Sequence, residues 1–245
     1  MVKDNKPAVY DVGIDEAGYG PNLGPLVMTA IVARSEGPPP DLWKDMPAVE
    51  KVTKSDRTPQ LLIDDSKRIM SQSQGMDWLE KVVQSLAATV NEGLSFQSPL
   101  DHWCSAFGPQ LRQDNEMDLW VDSPAEMQVL QPKSSESNLL LKANSWAIYA
   151  SRVVIAGPCR FNSLLGNPPN KASAHGIVFL EILRWLQSIA KPGDQFRIIS
   201  DRHSGRKFYA PLLCQIFGDS WIEKISESQK QSSYRTEFEN SLYDI

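Results

Sequence analysis

Two groups of acidic residues directly follow short segments that have the composition of β-strands. Asp15 and Glu16 end the segment 9–16, and Asp201 follows the segment 196–200. Carboxylates that converge in one crevice repel one another unless cations join them. Their oxygens are the ligands that Mg²⁺ and Mn²⁺ prefer, and such ions often complete their coordination with water and substrate phosphates. The residue types and positions therefore predict a divalent-metal site that acts on a phosphate ester.

The two acidic groups differ in how strongly they indicate function. An acid at a strand end is commonly a turn or helix cap, and Asp201 taken alone favours that structural interpretation. Asp15 and Glu16 open a glycine-rich segment, GIDEAGYGPNLGP, in which glycine permits close approach of the backbone to a ligand. Adjacent residues of a strand point to opposite faces, but a turn at Ala17-Gly18 is expected to bring both carboxylates to one side.

The glycine spacing excludes the common nucleotide-binding motifs. Position 23, where the dinucleotide fingerprint requires glycine, is leucine, and no Walker lysine follows the segment. We therefore expect no nucleotide cofactor.

Histidine and cysteine offer few further candidates. Three histidines are expected to be ordinary surface residues, although the last could assist proton transfer beside Asp201: His102, His175 and His203. Three widely spaced cysteines, with no Cys-x-x-Cys pair, are expected to be buried and reduced: Cys104, Cys159 and Cys214.

The elements that must position these residues follow from hydrophobic patterning. Apolar segments predict a hairpin of residues 9–15 and 26–33, a strand at 153–157 and a buried strand at 196–200. Helical spacing predicts helices over 71–91 and 172–190, the second ending before Pro192-Gly193. Residues 92–136 lack clear periodicity, so we interpret them as an insertion in a single α/β domain spanning 1–245.

Composition bounds the class of protein. The 245 residues include 25 basic and 30 acidic side chains, a net charge of −5, with 41% hydrophobic residues. This is the composition of a folded soluble domain, and it excludes a polybasic nucleic-acid binder. The N-terminus lacks the apolar run of a secretory signal, and the longest uncharged stretch, 17–33, is too short to span a bilayer. We expect a cytoplasmic enzyme that does not contact membranes.

Cations are concentrated near the candidate acids. Residues 137–180 contain no Asp or Glu, and the segment RHSGRK (202–207) follows Asp201 immediately. A basic flank beside an acidic metal site suits a phosphate-backbone binder, although chance accounts equally well for one acid-free stretch.

Three blocks of the sequence resemble the ribonuclease HII family. GIDEAGYGPNLGPLV is similar to the signature Asp-Glu-Ala-Gly-x-Gly-Pro that ends that family's first strand, and IDDSKRI (63–69) resembles its Asp-Ser-Lys-Lys-Leu block. The predicted helix 172–190 followed by FRIISD resembles the helix and strand that deliver another metal-binding aspartate. The resemblance implies a ribonuclease H-like mixed sheet flanked by helices, with the metal site on the central strands.

The resemblance also implies an activity and a set of site residues. The activity is metal-dependent endonucleolytic hydrolysis of RNA in RNA–DNA hybrids by a monomer that uses Mg²⁺ or Mn²⁺. The implied catalytic metal ligands are Asp15, Glu16 and Asp201. The residues implied to contact nucleic acid are the backbone at Gly18, Tyr19 and Gly20 and the side chains of Ser66 or Lys67.

The sequence departs from the family at two points. Tyr19 stands where the family has arginine, so a side-chain contact to phosphate is lost there. Family members also place a fourth carboxylate and a helix after the third acid. Asp219 and Asp244 lie in no matching motif, and Asp244, next to the last residue given, is expected to be frayed. Two alternatives therefore stay open: a catalytically impaired nucleic-acid-binding relative, and a metal-dependent hydrolase of another phosphate ester.

Overall fold

A computed structural model describes residues 7–17, 25–35, 41–46, 49–50, 61–92, 105–106, 108, 142–143, 145–202, 206–218, 220–228 and 230–245. The strands are β1 (Val9–Ala17), β2 (Leu26–Ser35), β3 (Val49–Glu50), β4 (Leu61–Leu62), β5 (Lys142–Ala143), β6 (Trp146–Ala156), β7 (Gln195–Ser200), β8 (Ile222–Glu227), β9 (Ser232–Phe238) and β10 (Ser241–Asp244). The helices are α1 (Leu42–Asp45), α2 (Ser66–Met70), α3 (Gly75–Val90), α4 (Pro158–Ser163), α5 (Lys171–Ile189) and α6 (Ala210–Phe217).

One mixed eight-stranded sheet organises these elements in the order β5-β6-β2-β1-β7-β10-β9-β8. The three central strands β1, β7 and β10 run parallel, and the flanking pairs are antiparallel. The predicted α/β class, with a mixed sheet flanked by helices, is confirmed. The predicted hairpin is also confirmed, since β1 pairs along its full length with residues 27–35 of β2.

The main core lies on one face of this sheet. Alternate residues of β1, Tyr10, Val12 and Ile14, are buried there, as the two-residue period of a strand requires. The fully buried face of α5 and the apolar residues of α6 pack onto them. The predicted helix 172–190 therefore forms as α5, which begins and ends one residue earlier, and the predicted strand 196–200 forms as β7, which begins one residue earlier.

A second, smaller core covers only part of the opposite face. Trp146 and Ala33, from β6 and β2, pack there with Leu86 of α3, the helix that the periodicity over 71–91 predicts. On β1 and β7 the same face carries exposed residues, including Gly13 and Ile199, whose side chain is 77% exposed. The sheet thus presents an open surface over its central parallel strands.

The C-terminal segment is an ordered strand, so the prediction that Asp244 would be frayed is wrong. β10 inserts between β7 and β9, and the backbone of Ile245 exchanges two hydrogen bonds with Tyr234 at 2.8 and 2.9 Å. Tyr243 is buried and stacks on Phe196, with ring centroids 5.1 Å apart. Burial of this ring in the main core explains why the strand forms.

Charges of alternating sign run across the open face. Asp11, Arg197, Asp244 and Arg235 are successive register partners on β1, β7, β10 and β9. Arg197 donates to Asp11 Oδ2 at 2.7 Å, and Arg235 Nε donates to Asp244 Oδ1 at 2.5 Å. Opposite charges that face each other across strands stabilise the pairing.

Two buried tyrosines make the stability of the fold sensitive to alkaline pH. Burial raises the pKa of Tyr10 and of Tyr243 from 10.0 to about 12. The unfolded state therefore ionises first, so their contribution is complete below about pH 10 and is lost as pH rises from about 10 to about 12. We expect the unfolding free energy in urea to fall over that window, and Tyr10→Phe to reduce the slope. An unchanged slope in the variant would contradict the assignment.

Three further expectations have mixed outcomes. Cys159 and Cys214 are exposed, so the prediction of buried thiols is wrong for these two. Both lie on helix faces that are turned away from the core. Cys104 lies outside the described residues. Most of the segment 92–136 also lies outside them. Within the described ranges, no helix combines the length and apolar character needed to cross a bilayer.

Candidate functional site

Asp15 and Asp201 lie on the open face at the carboxyl ends of two adjacent parallel strands. The register of β1 and β7 ends at the pair Ile14 and Ser200, so the two acids are the residues that follow on each strand. Both are exposed and border one shallow depression, together with Gly13, Thr29, Ile31 and Ile199. We call this surface the carboxylate depression. Crevices at the carboxyl ends of parallel strands are where open α/β sheets bind ligands.

Glu16 lies on the opposite face, against α5. The expected turn at Ala17-Gly18 does not bring the two carboxylates together, because strand β1 continues through Ala17 and its pleat points Glu16 and Asp15 to opposite faces. Glu16 Oε1 is 3.4 Å from Nε2 of His175. His175 is fully buried within α5, so the expectation that it is a surface histidine is wrong. The helix presents it to the end of β1, where Glu16 supplies a polar partner.

The donor set of the carboxylate depression suits a hard divalent cation. Asp15 and Asp201 provide carboxylate oxygens on one face, which is the ligand chemistry of Mg²⁺ or Mn²⁺. Among the described residues, no group of three or more His, Cys, Asp or Glu side chains is gathered closely enough to hold a metal. The structure thus brings together two of the three predicted ligands and directs the third, Glu16, toward His175.

The aspartate before Ser66 and Lys67 has a structural role in the fold. Asp65 is the N-cap of α2, and its Oδ1 accepts the backbone N–H groups of Lys67 at 2.9 Å and Arg68 at 3.3 Å. Asp64 pairs with the Arg68 guanidinium at 3.0 Å. Ser66 and Lys67 are exposed but do not line the carboxylate depression. Their predicted phosphate contact stays a prediction, and Gly18, Tyr19 and Gly20 lie outside the described residues.

Only part of the predicted basic flank is placed to attract a polyanion. Arg160 is held by Glu181 through two hydrogen bonds of 2.7 and 2.6 Å, so an acid on α5 compensates its charge. Arg202 and Lys207 are exposed in the segment that follows Asp201. His203 lies outside the described residues, so its proposed proton-transfer role stays a prediction.

The structure reveals a second concave surface that the sequence did not indicate. It lies between the end of β7 and the turn that joins β8 to β9, and we call it the β8–β9 cleft. Its lining includes Asp201 and Arg202 on one side and Lys230, Gln231, Ser232 and Tyr234 on the other. The only sequence signal was the polar segment 226–233, which by composition predicts nothing more than a turn.

A chain of hydrogen bonds fixes the wall of this cleft. The Tyr234 hydroxyl accepts the Tyr209 N–H at 3.0 Å and donates to Glu227, the last residue of β8. Burial, and then this contact with Glu227, raise the pKa of Tyr234. β8 and β10 are both antiparallel to β9, so β8 runs in the same direction as the central strands. Glu227, at the carboxyl end of β8, therefore lies at the same edge of the sheet as the carboxyl ends of β1 and β7.

Comparisons with known proteins assign neither a family nor a function to this chain. We found no protein-family model, curated protein or solved structure that matches this chain. The assignment of function therefore depends on the geometry of the site and on the sequence blocks that resemble the ribonuclease HII family.

Proposed function

We propose that the protein is a metal-dependent endoribonuclease that hydrolyses the RNA strand of RNA–DNA hybrids. The observation that carries this proposal is the placement of Asp15 and Asp201 on one face, at the carboxyl ends of adjacent central strands. The three sequence blocks that resemble ribonuclease HII support the substrate class. The mixed sheet has the general arrangement that this resemblance implies, and its specific ribonuclease H-like fold is part of the proposal.

Phosphodiester hydrolysis requires an in-line water nucleophile and stabilisation of charge on the attacking and leaving oxygens. Mg²⁺ or Mn²⁺ supplies that stabilisation and activates water when it is bound. In this proposal Asp15 and Asp201 hold the ion, and the rigid strands β1 and β7 fix their separation. The exposed cations Arg202 and Lys207, which follow Asp201 in the chain, attract the sugar-phosphate backbone toward the acidic site in this proposal.

A second candidate is a nucleic-acid-binding relative with little or no cleavage activity. The observation that favours it is the position of Glu16, which contacts His175 on the face opposite Asp15. With two carboxylates instead of three, an ion stays more hydrated and less well positioned for catalysis.

A substrate panel distinguishes these functions. We expect an end-labelled RNA–DNA hybrid to be cut in its RNA strand in Mg²⁺ or Mn²⁺, leaving 5′-phosphate ends, and to stay intact in EDTA. Single-stranded RNA, duplex RNA and duplex DNA, assayed in parallel, should be cut at least about tenfold more slowly, a difference of ~1.4 kcal/mol in transition-state binding.

Other outcomes of the panel favour the alternatives. Hybrid binding without cleavage in either metal would support the nucleic-acid-binding candidate. Hydrolysis of bis-(p-nitrophenyl) phosphate with an intact hybrid would indicate a hydrolase of another phosphate ester. Neither binding nor cleavage of any nucleic acid would contradict both proposals.

A further inference from the structure

The carboxylate depression has an apolar floor formed by three neighbouring strands. Gly13 of β1 lies between its register partners, Ile31 of β2 and Ile199 of β7, and all three line the depression with Asp15 and Asp201. We call these three residues the apolar floor. The side chain of Ile199 is 77% exposed, which leaves apolar area that a ligand could bury. Ligand sites commonly combine such a surface with a few polar groups that orient the ligand.

Gly13 leaves a space in this floor. The residue lies inside a strand, pairs on both sides and does not have a positive φ, so its backbone conformation does not require glycine. A Cβ added at this position would meet no described atom within 4 Å beyond its chain neighbours. Glycine weakens the interior of a strand, and it often marks a site that a ligand approaches closely. Neither the backbone nor the described neighbours therefore account for this glycine.

The space lies directly beside the acids. Gly13 is two residues before Asp15 on the same face of β1, and two residues of a strand span about 7 Å. The Asp15 side chain extends above the backbone, whereas Gly13 ends at its Cα. A recess is therefore left within reach of a group that is covalently joined to a phosphate at the two carboxylates.

We propose that the apolar floor receives the sugar of the nucleotide whose phosphate lies at Asp15 and Asp201, and that Gly13 is the residue that admits this sugar. The sugar is the group joined directly to the phosphate, so it reaches the floor before the base does. Its C–H groups contact Ile31 and Ile199, and a side chain at position 13 would hold it away. This inference rests on nucleic acid as the ligand of the proposed function, but it does not require cleavage.

A graded increase in side-chain size at position 13 tests this role. A fluorescein-labelled RNA–DNA hybrid is titrated in Ca²⁺, which carboxylates bind as they do Mg²⁺, and the anisotropy gives the affinity. We expect the affinity to fall from wild type to Gly13→Ala and further to Gly13→Val, with a loss of at least about tenfold for valine. Ile199→Ser should also weaken binding, because it removes apolar contact area.

Two exposed positions of β8 provide matched controls. Ile225→Ser removes the same exposed side chain as Ile199→Ser, and Ser226→Val adds valine to a strand outside the depression. We expect both variants to bind the hybrid as wild type does. Gly13→Val should keep the wild-type Mn²⁺ affinity in calorimetry, because glycine offers no side-chain ligand. Its thermal unfolding midpoint should equal or exceed that of wild type, because valine favours strands.

The outcomes separate this inference from the proposed function. A graded loss of hybrid affinity in the Gly13 variants, in a protein that never cuts the hybrid, supports the role of the floor and overturns the nuclease proposal. Efficient cleavage with wild-type affinity in Gly13→Val overturns the role of the floor alone. A wild-type protein that binds no nucleic acid overturns both.

Two further outcomes would assign the floor to another occupant and overturn the inference. A lower unfolding midpoint in Gly13→Val would mean that part of this chain packs on the floor. A wild-type dimer that dissociates in Gly13→Val, measured by analytical ultracentrifugation, would mean that a second copy of the chain does.

Discussion

Asp15→Asn should reduce hybrid cleavage by a factor on the order of 10³ or more while leaving the fold intact. A metal-binding carboxylate contributes several kcal/mol to transition-state stabilisation, and each ~1.4 kcal/mol is a factor of ten in rate. Asp15 is exposed, and its described hydrogen bond is local, to the Glu16 N–H at 2.8 Å. We therefore expect a change in unfolding free energy within about 0.5 kcal/mol. Initial cleavage rates and urea unfolding measure the two effects.

Asp201→Asn should give the same result, because Asp201 directly follows β7 and is next to Asp15 in the continuation of the β1–β7 register. Asp77→Asn serves as the control, since Asp77 is an exposed carboxylate in the first turn of α3, away from both concave surfaces. Cleavage by Asp15→Asn at the wild-type rate would remove this residue from the metal site. A large loss in Asp77→Asn would indicate a general effect of charge.

Much of the central fold was predictable from local patterns. The alternation in β1 and β2, the helical period in α5 and the apolar run of β7 each specify one element, and a glycine-rich connection specifies the hairpin. The sequence also predicted that Asp15 and Asp201, each at the end of a strand, converge in one crevice, and the parallel pairing of β1 and β7 supplies the physical reason. These features depend on residues close together in the chain or on a single strand pairing.

The features that the sequence did not indicate depend on contacts between distant segments. β10 is only four residues long, and it forms because Tyr243 stacks on Phe196, nearly fifty positions earlier. Sequence patterns therefore favoured a frayed end. The same holds for the β8–β9 cleft, because its walls come from residues 198–202 and 230–234, which are distant in the chain.

The face of the sheet on which Glu16 lies could not be predicted from the sequence either. Whether two adjacent acids share a face depends on the residue at which the strand ends. A strand that ends at Asp15 leaves Glu16 able to turn to the same face, whereas a strand that ends at Ala17 holds the two acids on opposite faces. The structure continues β1 through Ala17, so Glu16 faces α5 with Met28 as its register partner on β2. His175 then appeared ordinary in the sequence, because its only distinctive contact is with this residue on another element.

Glu16→Gln should lower the stability of the fold with little effect on metal binding, whereas Asp15→Asn should abolish metal binding with little effect on stability. Glu16 contacts the fully buried His175, so replacing its carboxylate weakens a buried polar interaction, and we expect unfolding to become easier by ~1–3 kcal/mol. Glu16 does not line the carboxylate depression. Its loss should therefore change Mn²⁺ affinity, measured by calorimetry, only a few-fold, which corresponds to ~1 kcal/mol or less. Asp15→Asn should instead abolish the calorimetric signal.

Wild-type protein in the same titration should show one Mn²⁺ site, because two carboxylates share the depression and a second doubly charged ion needs further anionic ligands. Asp77→Asn again provides the matched control and should titrate as wild type. If Glu16→Gln loses Mn²⁺ binding as completely as Asp15→Asn, then Glu16 leaves His175 and joins the ion on the open face. Two Mn²⁺ sites in the wild type, with one lost in Glu16→Gln, would assign all three predicted acids to the metal centre and make the contact with His175 a feature of the metal-free protein.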